Sequence, residues 1–253
     1  MSALRHFGGG HQVKHYLPIT REQLANAERF IPEEMKAPGW EQRLQKERID
    51  SYEQLAEFRA VEAPILAELR AIGLPMITIG ISYEVEPFAP FGKEAVEIFL
   101  KWLSVPHPDV HRSLVGCLQR AKGRFNGEAV ARAFDATDIS SQRTELAALI
   151  AQKSPTGIDD WLQLRLEQGS DGFSKGLLLS AAVKRFGYDD CREYVWKLFI
   201  ELPELMKRLL TKYGDDRDAE FLESRGEEFS NKEKIGFKKA AEKIRQRVAK
   251  KRS

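Results

Sequence analysis

Long apolar runs are missing from this chain of 253 residues. No stretch approaches the ~20 consecutive apolar residues that a membrane-spanning helix needs, so no span is expected. The first ten residues, Met1 to Gly10, lack the apolar core of a secretion signal. Gly8-Gly9-Gly10 reads instead as a flexible leader. Cysteine is scarce: Cys117 and Cys191 are the only two, and both fall inside apolar helical patterns. Free cysteine there behaves as a small buried hydrophobe, and a reducing, cytoplasmic compartment fits best. Catalytic signatures are missing too. There is no Gly-x-Ser-x-Gly, no P-loop and no dinucleotide fingerprint, which leans against an enzyme.

Net charge is also small, at +2, but this balance conceals an asymmetry. Between Lys232 and Arg252 ten Lys and Arg oppose only Glu233 and Glu242, so the tail carries about +8 and the rest about −6. Just upstream, Asp215 to Glu228 holds seven acids against Arg217 and Arg225. Hydrophobic content of 42% with 31% charged residues describes a folded chain with a well-solvated surface.

What the chain does have is a repeat. Between Lys93 and Phe199 a two-helix pattern recurs about every 31 to 34 residues. Its clearest copy runs from Pro108-Asp109-Val110-His111-Arg112 through Leu114-Val115-Gly116-Cys117-Leu118 to Gly123. A weaker copy holds Arg143 and Leu146-Ala147-Ala148-Leu149-Ile150. A third holds Lys175, Leu177-Leu178-Leu179 and Ala181-Ala182-Val183, closing at Phe186-Gly187. One such hairpin cannot bury its apolar face alone, so neighbouring copies must stack. Leu114, Leu118, Leu146, Leu149, Leu178 and Ala182 are the expected buried layer.

The pattern predicts first helices at Lys93–Leu103, Gly127–Phe134, Gly157–Glu167 and Asp189–Phe199. Second helices fall at Pro108–Lys122, Ile139–Gln152 and Phe173–Phe186, with a last pair at Pro203–Tyr213 and Asp218–Phe229. Ser230-Asn231-Lys232-Glu233 is a capping box that opens a terminal helix. Further upstream, Thr20 to Phe30 reads as a helix and Pro32 to Leu44 is ambiguous. Ser51 can cap a helix with Leu55, Phe58 and Val61, and Pro64 can open another carrying Ile65, Leu66, Leu69 and Ile72. Leu74 to Gly92 interrupts the repeat with Pro75, Pro87 and Pro90. It reads as a long ordered connection with room for a short strand at 76–81: either a functional loop or an insertion packed over the end of the stack. The expected organisation is an N-terminal leader and helical extension over 1–62, helical repeats over 63–229 and a basic C-terminal helix over 230–253.

The segment from Pro108 to Gly123 resembles the second helix of a HEAT repeat. Pro108, Val110, Arg112, Leu114, Val115, Leu118 and Gly123 match that pattern, while His107 stands where the family usually has Asp. Lys175 with the Leu178-Leu179 and Ala181-Ala182 run is similar, and Asp189-Asp190 before Tyr194-Val195 resembles the next first helix. The likeness covers roughly Ala63 to Tyr213 and implies an all-α, HEAT-like α-solenoid of antiparallel helix pairs with an N-terminal extension. The period here is shorter than the about 40–47 residues of HEAT units, which implies tight turns, and the middle copy lacks the Pro and Val. The resemblance implies no single activity, since family members include scaffolds, nucleic-acid binders, lyase-type proteins and a class of DNA glycosylase.

Arg112, Arg143 and Lys175 lie 31 and 32 residues apart, near the starts of successive second helices. Stacked, they form either a cationic strip for phosphate or an acidic partner, or structural ion pairs with acids of their own or adjacent units. Trp102, Trp161 and Trp196 fall in first helices, where the spacing favours core over binding anchors. His107 and His111 stand four apart, as do His11 and His15, but no third ligand follows, and no metal or cofactor is expected. Asp159-Asp160 and Asp189-Asp190 sit at helix starts, where acids complement the dipole. Asp160 beside Trp161 is the nearest approach to a glycosylase site.

These readings favour a non-catalytic scaffold that binds another protein, such as an inhibitor or immunity-type protein facing a basic partner. The alternative is a nucleic-acid binder, extending to a base-excision enzyme, that uses the strip and the basic tail. In that tail Phe237, Ala240, Ala241, Ile244 and Val248 form one narrow apolar stripe. The helix can dock on its own body, touch nucleic acid or lie on a membrane surface. The acidic Asp215–Glu228 segment favours docking.

Overall fold

The computed structural model describes residues 40–80, 90–168 and 172–252. The helix read at Thr20–Phe30, the leader glycines, His11 and His15 lie outside these residues. By its internal contacts the chain divides into two compact units, Met1–Leu55 and Ala56–Ser253. The first is represented by the start of α1 (Trp40–Ala71), along which Ile49, Tyr52 and Leu55 are exposed.

α1 differs from the sequence reading. Neither Ser51 nor Pro64 begins a helix; both lie inside one continuous helix of 32 residues. An interior proline forfeits a hydrogen bond and costs about 3 kcal/mol. Immediately after it, however, Ile65, Leu66 and Leu69 become buried, each contributing about 1.5–3 kcal/mol. Packing on one side of Pro64 therefore outweighs the break.

The remaining helices form five pairs. They are α2 (Lys93–Lys101) with α3 (Pro108–Gln119), α4 (Glu128–Ala136) with α5 (Ser140–Lys153), and α6 (Asp159–Glu167) with α7 (Gly172–Phe186). Then come α8 (Tyr188–Lys197) with α9 (Pro203–Tyr213), and α10 (Asp216–Gly226) with α11 (Asn231–Arg252). The described residues are thus all-helical, eleven helices with mostly sequential packing. Each helix packs on its pair-mate, and the second helices also touch in succession, α3 on α5, α5 on α7, α7 on α9 and α9 on α11. Between them lie Leu114, Leu118, Leu146, Leu149, Leu178 and Ala182, none with any exposed surface.

Local chemistry sets the helix ends. His107 accepts the Val110 amide through Nδ1, and Pro108 takes the first position of α3, where no N–H is needed. Asp215 and Asp218 form a complete capping box on α10. In α11 Glu233 reaches back to accept both the Ser230 amide and its hydroxyl. The turns that follow α3 and α5 reverse through Gly123 (φ 82°) and Gly157 (φ 76°), a conformation that penalises side chains.

Those turns are stitched to one another. Phe91 pairs with Ala121 and Asn126 with Thr156 as isolated parallel bridges, supported by Lys122 N–H to Phe91 O and Thr156 N–H to Phe125 O, both 2.8 Å. Side-chain cations add a second tie. Lys153 Nζ donates to Ala121 O at 2.9 Å, Lys184 Nζ to Ala151 O at 2.7 Å, and Arg247 to Thr211 O at 2.8 Å and to the carbonyls of Lys212 and Gly214. Each cation satisfies carbonyls at or just beyond the end of the preceding second helix, where the dipole also favours positive charge.

The connection after α1 forms no strand over 76–80; residues 81–89 lie outside the described set. Its anchor is Glu62, fully buried on α1. Glu62 accepts Thr78 Oγ1 at 2.7 Å, the Ile79 amide at 3.0 Å and the Arg59 guanidinium at 2.8 Å. A buried carboxylate with three donors meets the condition under which buried charge is tolerated. With Met76 and Ile79 also buried, residues 74–80 are packed against the helices.

Candidate partner-binding surface

The three cations singled out by spacing all lie near the starts of second helices. Because those helices pack in succession, the three belong to one end of the stack. Arg112, 63% exposed at its side chain, donates from Nε to Glu145 of α5 at 3.0 Å and lies 3.6 Å from Asp109. Arg143 donates to Thr137 O at 2.7 Å and approaches Asp138 at 3.4 Å. Lys175 is half-buried on α7. The structure adds a fourth member that the sequence reading missed. Lys207, 32 residues beyond Lys175, bonds Glu204 at 2.6 Å and sits 5.5 Å from the centre of the Phe237 ring. Its signal in the sequence is the unbroken 31–32 residue period that runs from Arg112 to Lys207.

Arg112, Arg143 and Lys207 therefore each meet an acid at or near the start of their own helix, Asp109, Asp138 and Glu204 respectively. The hydrogen bond from Arg112 to Glu145 holds the guanidinium pKa above its ordinary value. At this same end three large apolar side chains face solvent, Ile139 (49%), Phe173 (54%) and Ile200 (50%), one in or beside each turn that leads into α5, α7 and α9. A cavity of about 310 Å³ opens between the turn that leads into α3 and the turn that leads into α5, lined by Val105, Pro106, His111, Ala136, Ile139 and Gln142 among others.

The other candidates resolve into packing and capping contacts. His111 is buried, with Nδ1 2.9 Å from Leu103 O, while His107 caps α3 and meets Phe58 edge-on. Among the described residues no group of three His, Cys, Asp or Glu is placed to hold a metal ion. Asp159 pairs with Arg185 and Asp189 with Arg192. Asp160 is exposed and shares no hydrogen bond with Trp161, whose indole turns to Asp135 at 3.0 Å. Burial raises the Cys117 thiol to about 12, and burial with the nearby Asp190 charge raises Cys191 to about 11, so neither is a thiolate at neutral pH.

The tryptophans follow a rule that spacing did not reveal. Trp102, Trp161 and Trp196 are half-buried, and each donates its indole N–H to a carboxylate on a neighbouring helix. Trp102 bonds Glu68 at 3.0 Å, Trp161 bonds Asp135, and Trp196 bonds Asp218 at 2.8 Å. A cation completes each set: Lys101, Arg165 and Arg192. The Asp218 set is the most elaborate, since Tyr188 Oη also donates to this buried carboxylate at 2.6 Å. Burial first, then this bond, pushes the Tyr188 phenol well above its ordinary value. The Arg192 bond holds the Asp215 carboxyl well below the usual range.

No family model, no curated protein and no solved structure matches this chain. Among the described residues no helix is long and apolar enough to cross a membrane.

Proposed function

We propose that the chain is a HEAT-like α-solenoid that works as a non-catalytic protein-binding scaffold, of the inhibitor or immunity type, facing a basic partner. The observation that carries this reading is the state of the cation ladder. Three of its four members, Arg112, Arg143 and Lys207, have an acid beside them, so most of the strip presents alternating charge rather than the uncompensated positive field that phosphate backbones select. Asp138 stays fully exposed and Glu204 is 65% exposed at its side chain, which leaves acids available to a basic partner. Ile139, Phe173 and Ile200 at the same end supply apolar contact of the kind that anchors protein interfaces. The succession of second helices supports the solenoid assignment, because each buries its neighbour's apolar face as stacked repeats do.

The test is photocrosslinking in the cell of origin. Photoreactive residues replace Ser113 or Ser180 on second helices, and Gln163 or Glu193 on first helices. One basic protein captured from Ser113 and Ser180 but not from the controls supports the reading. Crosslinks from those positions to nucleic acid alone would overturn it.

A further inference from the structure

The last helix divides its cations by side: its arginines and Lys234 reach acids or carbonyls of the body, and three of its lysines do not. Its apolar stripe, Phe237, Ala240, Ala241 and Ile244, is buried against the body. Its arginines turn the same way. Arg245 grips Glu223 with two bonds of 2.6 and 2.7 Å, Arg247 caps α9, and Arg252 meets Asp216 at 3.1 Å. Lys234 bonds Glu227 at 2.7 Å. The lysines at 232, 239 and 243 are left on the far side. At 100° per residue they fall within about 40° of one another, and the apolar stripe is centred more than about 100° away. All three are exposed, and among the described residues none meets a carboxylate within 4 Å.

We infer that this outer face of α11 is a docking surface for the sugar–phosphate backbone of nucleic acid, bound without regard to sequence. Three observations support it. The charge is uncompensated, in contrast to the ladder. It is carried by lysine, a point charge that suits phosphate without demanding the two-pronged geometry of arginine. It also runs along one rigid helix, with Lys232 and Lys243 about 16 Å apart along the axis, a span that reaches several phosphates of a strand. An anionic membrane is the weaker occupant. A helix that lies on lipid must offer its apolar face, and here that face is already buried. The inference does not depend on the protein-scaffold reading, since it concerns a different face.

The experiment is fluorescence anisotropy of a labelled duplex DNA titrated with the full chain. Three phosphate contacts imply a salt slope near −2.7, hence about 40-fold weaker binding at about 200 mM than at about 50 mM salt. Combined Lys232→Gln, Lys239→Gln and Lys243→Gln should weaken binding at low salt more than about tenfold, flatten the slope and leave the melting temperature unchanged. A control with the same charge loss, Lys93→Gln, Lys122→Gln and Arg132→Gln, should bind within about twofold of the parent chain. Absence of binding at low salt, an equal loss in the control, or tighter binding to phosphatidylglycerol vesicles than to the duplex would each overturn the inference.

Discussion

α7 and α11 occupy equivalent places, each the second helix of its pair and each packed on the second helix before it. They are held by different forces. α7 buries Leu178, Leu179, Ala181, Ala182 and Val183, and apolar burial of that kind neither titrates nor is screened by ions. α11 buries one large aromatic, one isoleucine and two alanines along 22 residues. Its remaining attachment comes from Arg245, Arg247, Arg252 and Lys234 to acids and carbonyls of α9, α10 and the turns flanking α10. The same position in a stack can thus be filled by an apolar helix or by a charged one, provided the neighbouring surface is complementary. The difference is that the charged seam responds to solution conditions.

Replacing Leu178 with Asp is the severest way to break the apolar side. It removes a fully buried side chain and strands a carboxylate in an apolar layer, at a cost of about 5 kcal/mol. Thermal melting should show loss of the cooperative transition; an unchanged midpoint would mean that α7 is not part of the stack.

On the charged side the largest effect belongs to its one aromatic. Phe237 is 1% exposed, with ring centres 5.2 Å from Phe199 and 5.1 Å from Phe229. Phe237→Ala should cost about 3 kcal/mol in denaturant unfolding. Hydrogen exchange in that variant should rise over α10 and α11 more than over α5 and α7. Uniform acceleration would show that the two regions are not separable.

Acid should sharpen the comparison further. Bonds from Arg192 lower the Asp215 pKa, from Arg245 that of Glu223 and from Lys234 that of Glu227. A depressed carboxylate contributes its full stabilisation above the unfolded value of about 4 and loses it as pH falls through the folded value. The seam around α10 and α11 should therefore open before α5–α7 as pH drops below about 4. Asp215→Asn should remove part of that sensitivity, as followed by exchange at Trp196 and Phe221. Simultaneous opening of both regions would contradict the assignment.

The smallest effect concerns the ladder. A double-mutant cycle on Arg112 and Glu145, both partly solvent-exposed, should return about 0.5 kcal/mol and fade in high salt. A coupling of several kcal/mol would recast Arg112 as a structural keystone and leave little of it for a partner.

Much of the fold was legible in the sequence. The 31–34 residue period located the paired helices up to Phe186, and the residues placed in the buried layer are buried, because helical spacing of leucine and alanine reports a buried face directly. The pair expected at Pro203–Tyr213 and Asp218–Phe229 is corrected by the structure: Pro203–Tyr213 is the mate of Tyr188–Lys197, and Asp216–Gly226 that of the terminal helix, because the charged tail completes the last pair. Pro203–Tyr213 was read to the residue, since Pro203 at the first turn marks its start. The intramolecular partner of the tail was legible as well: a basic helix beside an acidic one has a short-range solution that chain connectivity makes hard to avoid.

Four things only the tertiary structure decided. Helix α1 runs through Pro64 because burial beyond the proline outweighs a local penalty, and local signals cannot see burial. Glu62 became the anchor of residues 74–80, a role that depends on donors 16 and 17 residues away. Trp102, Trp161 and Trp196 found their carboxylates across 22 to 34 residues, and Lys232, Lys239 and Lys243 were left outside while the arginines turned inward. Periodicity along the chain tells which side chains share a face of one helix. Which neighbour meets that face, and which charges remain uncompensated, is set only when the helices pack.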